Sequence, residues 1–265
     1  METLVKVDKL SGGYHKTVVI KDVSFDIKKG DFLGIIGPNG SGKSTLLRLM
    51  SRALRPCSGN IALEGKDIEG MDLKEFCRKV AFVPQDTLIN FSFSVEEIVL
   101  MGRIPHLKRM QFEGKADFSI AERALCLTDT LYIKDKAIDE LSAGERQRVI
   151  IAKALAQEPM LVFLDEPTSH LDIGHQVQIL NLLKKLNREQ GLTVVMVVHD
   201  LNLASEYCDR IILLDQGSVF KNDTPEQVLT YQNIESVYKT VVVVNKNPIS
   251  KKPYVMLVSG ENNVD

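Results

Sequence analysis

A chain of 265 residues that is 44% hydrophobic and 26% charged can bury a full core without disulfides or a structural metal. Its 33 Lys and Arg stand against 35 Asp and Glu, a net charge of −2, so no general attraction for phosphate backbones exists and nucleic acid is a poor partner. The cysteines Cys57, Cys77, Cys126 and Cys208 have neither CxxC nor His-rich spacing, which reads as reduced thiols rather than cross-links or a zinc site.

The first ten residues are interrupted by Glu2, Lys6, Asp8 and Lys9, so they lack the apolar centre of a signal peptide and the mature chain is expected to begin here. No apolar run approaches the roughly 20 residues of a spanning helix, and any membrane role is expected to come through partners. Leu4 to Val7, Val18 to Ile20 and the alternating Val23, Phe25 and Ile27 predict strands of an antiparallel layer. Phe32 to Ile36 is a continuous apolar run, as in a strand buried on both faces, and a Gly-rich turn and a helix follow it. Buried runs recur at Val80 to Val83, Met160 to Leu164, Thr193 to Val198 and Arg210 to Leu214, separated by helical patterns, which is α/β alternation. From Ser94 to Ala137 the strand signal disappears. Ser94 with Glu97 forms a capping-box pattern, and Phe118 to Leu127 has helical periodicity. A last helix is expected after Thr224-Pro225-Glu226-Gln227, followed by strands at Thr240 to Val244 and Tyr254 to Val258.

Between the buried strand and its helix lies Gly37-Pro38-Asn39-Gly40-Ser41-Gly42-Lys43-Ser44-Thr45, a complete phosphate-loop pattern. Its glycines allow backbone N–H groups to turn inward around phosphate oxygens, and the helix directs its positive end at the same charge. Lys43 is placed to reach the β- and γ-phosphates of ATP, and the Ser44 hydroxyl to ligate Mg²⁺. The run ending at Asp165-Glu166 delivers two carboxylates at a strand's C-terminal end, where open α/β sheets bind ligands. Asp165 suits the metal, and Glu166 suits orienting and deprotonating an attacking water.

Leu141-Ser142-Ala143-Gly144-Glu145-Arg146-Gln147-Arg148 resembles the signature motif of ABC ATPases, departing from the LSGGQ form at Ala143 and Glu145. Ser142 and Glu145 also read as a plain capping box. The resemblance assigns Ser142 and Gly144 to the γ-phosphate held by a second copy of the chain. It further assigns Tyr14 to stacking on adenine, Gln85 to metal and water, Ser169-His170-Leu171-Asp172 to the D-loop at the dimer interface, and His199 to the γ-phosphate switch. The implied fold is α/β: a RecA-like phosphate-loop ABC nucleotide-binding domain with an N-terminal antiparallel β-layer and a helical insertion. One domain is expected, with core and β-layer at 1–87 and 158–240, helical subdomain at 88–157 and a β tail at 241–265.

Val99-Leu100-Met101-Gly102-Arg103-Ile104-Pro105-His106 is similar to a VxxGRxPH stretch of ATPases serving iron-siderophore, haem and vitamin B12 importers. That resemblance implies a subunit at the cytoplasmic face of the membrane, working with transmembrane permease subunits and, indirectly, an extracytoplasmic substrate-binding protein. A zinc or manganese importer is the competing reading, with a non-transport ABC ATPase behind it. Phe91, Phe93, Met101 and Arg103 are expected to border a groove for a permease helix.

Overall fold

A computed structural model describes residues 2–15, 17–85 and 92–258. The chain forms two compact units, Met1–Glu69 with Val195–Asp265, and Gly70–Val194.

The first unit opens with β1 (Thr3–Tyr14) and β2 (Thr17–Lys28), a long antiparallel pair in which Val5, Val7 and Leu10 meet Ile27, Phe25 and Val23. Alternation puts these side chains on one buried face while Lys6 and Asp26 point outward. The strands run on through places where the alternation slips. Lys9 and Asp22 adopt left-handed φ of 47° and 49°, and their backbone N–H groups donate to Ser24 Oγ at 2.8 Å and Ser11 Oγ at 2.9 Å. These serine hydroxyls satisfy what the bulges take out of the ladder. Next come β3 (Phe32–Ile36), buried at every residue, and α1 (Lys43–Met50). Then β4 (Ser58–Leu63) and β5 (Lys66–Asp67) complete a sheet of order β2-β1-β4-β5.

The second unit begins at α2 (Leu73–Lys79), whose first turn is capped by Asp72, and β6 (Val80–Val83). Three helices follow: α3 (Val95–Leu100), α4 (Lys115–Leu127) and α5 (Ala143–Ala156). They pack through Val95, Ile98, Val99, Ala121, Ala124, Leu125, Val149 and Ile150, all buried. The small alanines of α4 let the helices approach closely. Next, β7 (Leu161–Asp165) pairs in parallel with β6, Val80 opposite Leu161 and Val83 opposite Leu164. Then α6 (Ile173–Gln190) ends where Gly191 takes a left-handed φ of 68°.

With β8 (Thr193–Val197) the chain passes back into the first unit, where Val198 N–H donates to Ile35 O. After α7 (Leu201–Tyr207), β9 (Arg210–Asp215) pairs in parallel with β3, and β10 (Ser218–Asp223) turns back antiparallel on β9. Two short helices, α8 (Pro225–Val228) and α9 (Tyr231–Tyr238), lead to a terminal hairpin of β11 (Val242–Lys246) and β12 (Pro253–Leu257). Asn202 ties the hairpin to α7, donating to Val255 O and accepting from Val255 N–H. The core strands β3, β7 and β8 are buried at every residue, each large apolar side chain contributing about 1.5–3 kcal/mol. That rigidity fixes the loops at their C-terminal ends.

Candidate functional site: a phosphate loop and a paired-carboxylate strand end

In the first unit, β3 ends at Ile36 and the next helical residue is Lys43. Gly42, the cap of α1, has φ of 101°, and a Cβ there would stand 2.7 Å from Ile20 Cδ1. Backbone conformation and space both exclude a side chain. Lys43 is 6% exposed, its ammonium donating to Gly37 O at 2.9 Å and Pro38 O at 3.1 Å, so the charge lies folded into the loop. Ser41 Oγ is buried without a hydrogen-bond partner. An unpartnered buried hydroxyl costs about 1–3 kcal/mol, and a bound phosphate oxygen would satisfy it. Asn39 and Gly40 form the exposed crest of this loop, while Pro38 and Ser44 are half-buried and Thr45 buried behind it. Tyr14 ends β1 with 38% exposure, and its phenol oxygen accepts from Arg48 of α1 at 2.9 Å. His199 is exposed just after β8. Tyr238 on α9 was not flagged by any motif. Burial pushes its phenol up to about 12, against the pull of the Gly37 N–H that bonds to it.

In the second unit, β7 delivers Asp165, 1% exposed, and then Glu166, half-buried with a left-handed φ of 52°. A non-glycine residue holding that conformation directly before a proline is strained, and such strain gathers at functional turns. The turn is held from both sides. Gln85 Nε2 donates to Glu166 Oε2 at 2.8 Å, and Ser169 donates its N–H at 3.1 Å and its hydroxyl at 2.9 Å to Glu166 O. Gln85 thus lies on the carboxylate itself. Among the described residues no cluster of three or more His, Cys, Asp or Glu could hold a metal. Within this unit an amide and one carboxylate, as on Gln85 and Asp165, suit Mg²⁺, which commonly takes one or two carboxylates and completes its shell with phosphate and water.

Ser142 caps α5. Its N–H and hydroxyl donate to Glu145 Oε2 at 3.0 and 2.7 Å, and Oγ accepts the Glu145 N–H at 3.3 Å. Tyr132 donates to the other carboxylate oxygen at 3.2 Å. The bonds from Ser142 hold the Glu145 carboxyl below its usual range. Gly144 is buried in the first turn and Ala143 exposed, so the departure at Ala143 faces outward.

The chain matches the sequence model of the family described as ABC transporter over residues 20–169. The chain belongs to the ABC transporter family. Among relatives of this ABC protein, the uncharacterized ABC transporter ATP-binding protein YvrA of Bacillus subtilis is 42% identical over 98% of the chain, which spans 59% of YvrA's length. The ferric enterobactin transport ATP-binding protein FepC of Escherichia coli is 38% identical, with 94% of this chain and 92% of FepC covered. Among solved structures, an ABC transporter in an inward-facing conformation matches at a TM-score of 0.86 and 30% identity, covering 98% of this chain and 99% of that one. The dimeric ATP-binding cassette MJ0796 with ADP and Pi matches at 0.72 and 32%, covering 84% and 99%. Among the described residues no helix is long and apolar enough to cross a membrane.

Arg103 corrects one expectation. It is 5% exposed, pairing with Asp117 at 3.0 Å and Glu158 at 2.9 Å and donating to Ala156 O at 2.7 Å. It anchors α4 and the end of α5 and does not border a docking groove. Met101 and Phe93 are half-buried, and Phe91 lies outside the described residues.

Proposed function

We propose that this ABC protein is the ATP-hydrolysing subunit of an importer for iron-siderophore complexes, haem or cobalamin, acting as a pair of copies beneath transmembrane permease subunits. The likeness to FepC, extending over nearly the whole of both chains, carries the choice of cargo class. Exchange with an extracytoplasmic binding protein belongs to the same reading. So does a peripheral position on the membrane's cytoplasmic face.

Lys43 and the N–H groups of residues 37–45 would cradle the ATP phosphates, and Tyr14 would stack on adenine. Ser44, Gln85 and Asp165 would hold Mg²⁺, which when bound neutralises charge developing on the phosphates. Glu166 is the general base in this reading. The observation behind that role is the contact of Gln85 with its carboxylate, which fixes one carboxylate oxygen beside the strand end that carries Asp165. His199 would hold the γ-phosphate from the same chain, and Ser142 and Gly144 would reach it from the second copy.

Glu166→Gln in the complex with its permease should keep ATP binding while turnover falls about 10²–10⁴-fold. Near-normal hydrolysis would remove the assignment. In producing cells the same variant should abolish uptake of siderophore-iron, haem or cobalamin when each is supplied in turn. Loss confined to zinc or manganese would move the chain to the competing importer class. For the paired site, Ser142→Arg chains mixed with Lys43→Ala chains should regain hydrolysis that neither has alone.

A further inference from the structure

The glycine of the signature segment is constrained by a residue of the same chain that no motif flags. At Gly144 an ideal Cβ would lie 2.4 Å from Cδ2, 2.8 Å from Cγ and 2.9 Å from Nε2 of His175. The edge of the imidazole therefore rests directly on the Gly144 backbone. Nor is that ring free to swing aside. Its Nδ1 donates to Asp172 Oδ2 at 2.9 Å, while Asp172 Oδ1 accepts the His175 backbone N–H at 2.9 Å. Asp172 is the N-cap of α6 and closes the 169–172 segment, whose Ser169 already holds the Glu166 carbonyl. A continuous line of contacts inside the second unit thus runs from the Glu166 turn through Asp172 and His175 to the start of α5.

We propose that His175 is a positioning residue that sets the signature segment against the turn carrying Glu166, so that within one chain the group serving its own nucleotide and the group serving the partner copy's nucleotide shift together. The proposal rests on the ATPase reading above. It explains why position 144 is glycine even though Gly144, unlike Gly42, has no left-handed φ: the imidazole fills the space a side chain would need. It also gives Asp172 a task beyond capping α6, since its second oxygen fixes the ring plane.

The test uses the chain purified with its co-expressed permease, measuring ATPase kinetics and thermal midpoint. Misplacement of a reacting group by about 1 Å can cost 10²-fold in rate. On that scale Gly144→Ala should lower kcat by about 100-fold, and Gly144→Ala with His175→Ala should recover about 10-fold of the loss. In the wild-type background, His175→Asn keeps an N–H donor where Nδ1 stands and should stay within about 2-fold of normal. His175→Ala should lower kcat by about 10-fold with the KM for ATP changed less than about 2-fold. A double variant no better than Gly144→Ala overturns the proposal, as do equal rates for His175→Asn and His175→Ala. The latter pair decides alone if Gly144→Ala does not fold. Ser142→Arg is the control for the underlying reading: if it leaves hydrolysis intact, the ATPase assignment of the signature fails first, whereas its loss together with an absent rescue rejects only the role of His175.

Discussion

Two helix starts in this protein, proposed above to meet phosphate, are built in opposite ways. At α1 the work is done by backbone: glycines with left-handed φ, a lysine buried into the loop it belongs to, and no acidic residue in the first turn. At α5 it is done by side chains, with Ser142 and Glu145 bonded reciprocally at the helix entrance. The first start leaves a buried hydroxyl, Ser41, with nothing to bond. The second already commits the Ser142 hydroxyl to a hydrogen bond with the Glu145 carboxylate at 2.7 Å. At either start a ligand would replace internal bonds: at α1 those of Lys43 to Gly37 O and Pro38 O, at α5 that of Ser142 to Glu145.

Several substitutions would break or sharpen this contrast. The largest effect is expected where a buried charge holds the helices around α5 together. Arg103→Glu should cost about 3–5 kcal/mol, because it leaves Asp117 without its cation and buries a carboxylate against Asp117 and Glu158, and a urea titration would read it as a lowered midpoint. Next, Lys43→Ala should weaken ATP binding to the isolated chain by about 1.5–3 kcal/mol, the worth of a charge-assisted hydrogen bond. Ser142→Ala should leave that affinity unchanged in the same fluorescent-nucleotide titration. Equal losses would mean that the two starts are not distinct in kind. Ser142→Ala should instead appear in stability, at about 0.5–2 kcal/mol for a lost N-cap, with no counterpart at α1, which has no side-chain cap.

The smallest effect is one of pH. Glu145 is held below its ordinary value of 4.5, chiefly by the Ser142 hydroxyl. A depressed carboxylate stabilises the fold above its unfolded value, and this is lost as pH falls through the folded one. The difference in thermal midpoint between the native chain and Glu145→Ala should therefore be full at neutral pH and shrink below about 4.5. A difference that grows on acidification would contradict the direction of the shift.

The α/β class was legible because its signals are local. Five consecutive apolar residues, Phe32 to Ile36, between turn signals at Gly30 and Gly37 read as a strand covered on both faces, and the glycines after them announce the loop in which they stand. Strand lengths were less legible: β1 and β2 continue through Lys9 and Asp22, where alternation fails, because Ser24 and Ser11 complete the hydrogen bonding. Those serines were the available signal, but they act from the opposite strand. Long-range contacts left no trace in the spacing. Tyr238 touches Gly37 and His175 rests on Gly144 through folding alone. Arg103 sits in a polar-looking stretch that suggests exposure, yet its partners lie 14 and 55 residues away.

Arg103 carries one more consequence. A guanidinium sealed against Asp117, Glu158 and the Ala156 carbonyl has its donors committed to the interior, so the stretch around it records how the helices of the second unit are bolted together. The Gly102-Arg103-Ile104-Pro105-His106 segment therefore serves the construction of the second unit through Arg103. Fitting this unit to a different docking partner would call for changes on its exposed surface while Arg103 stays where it is.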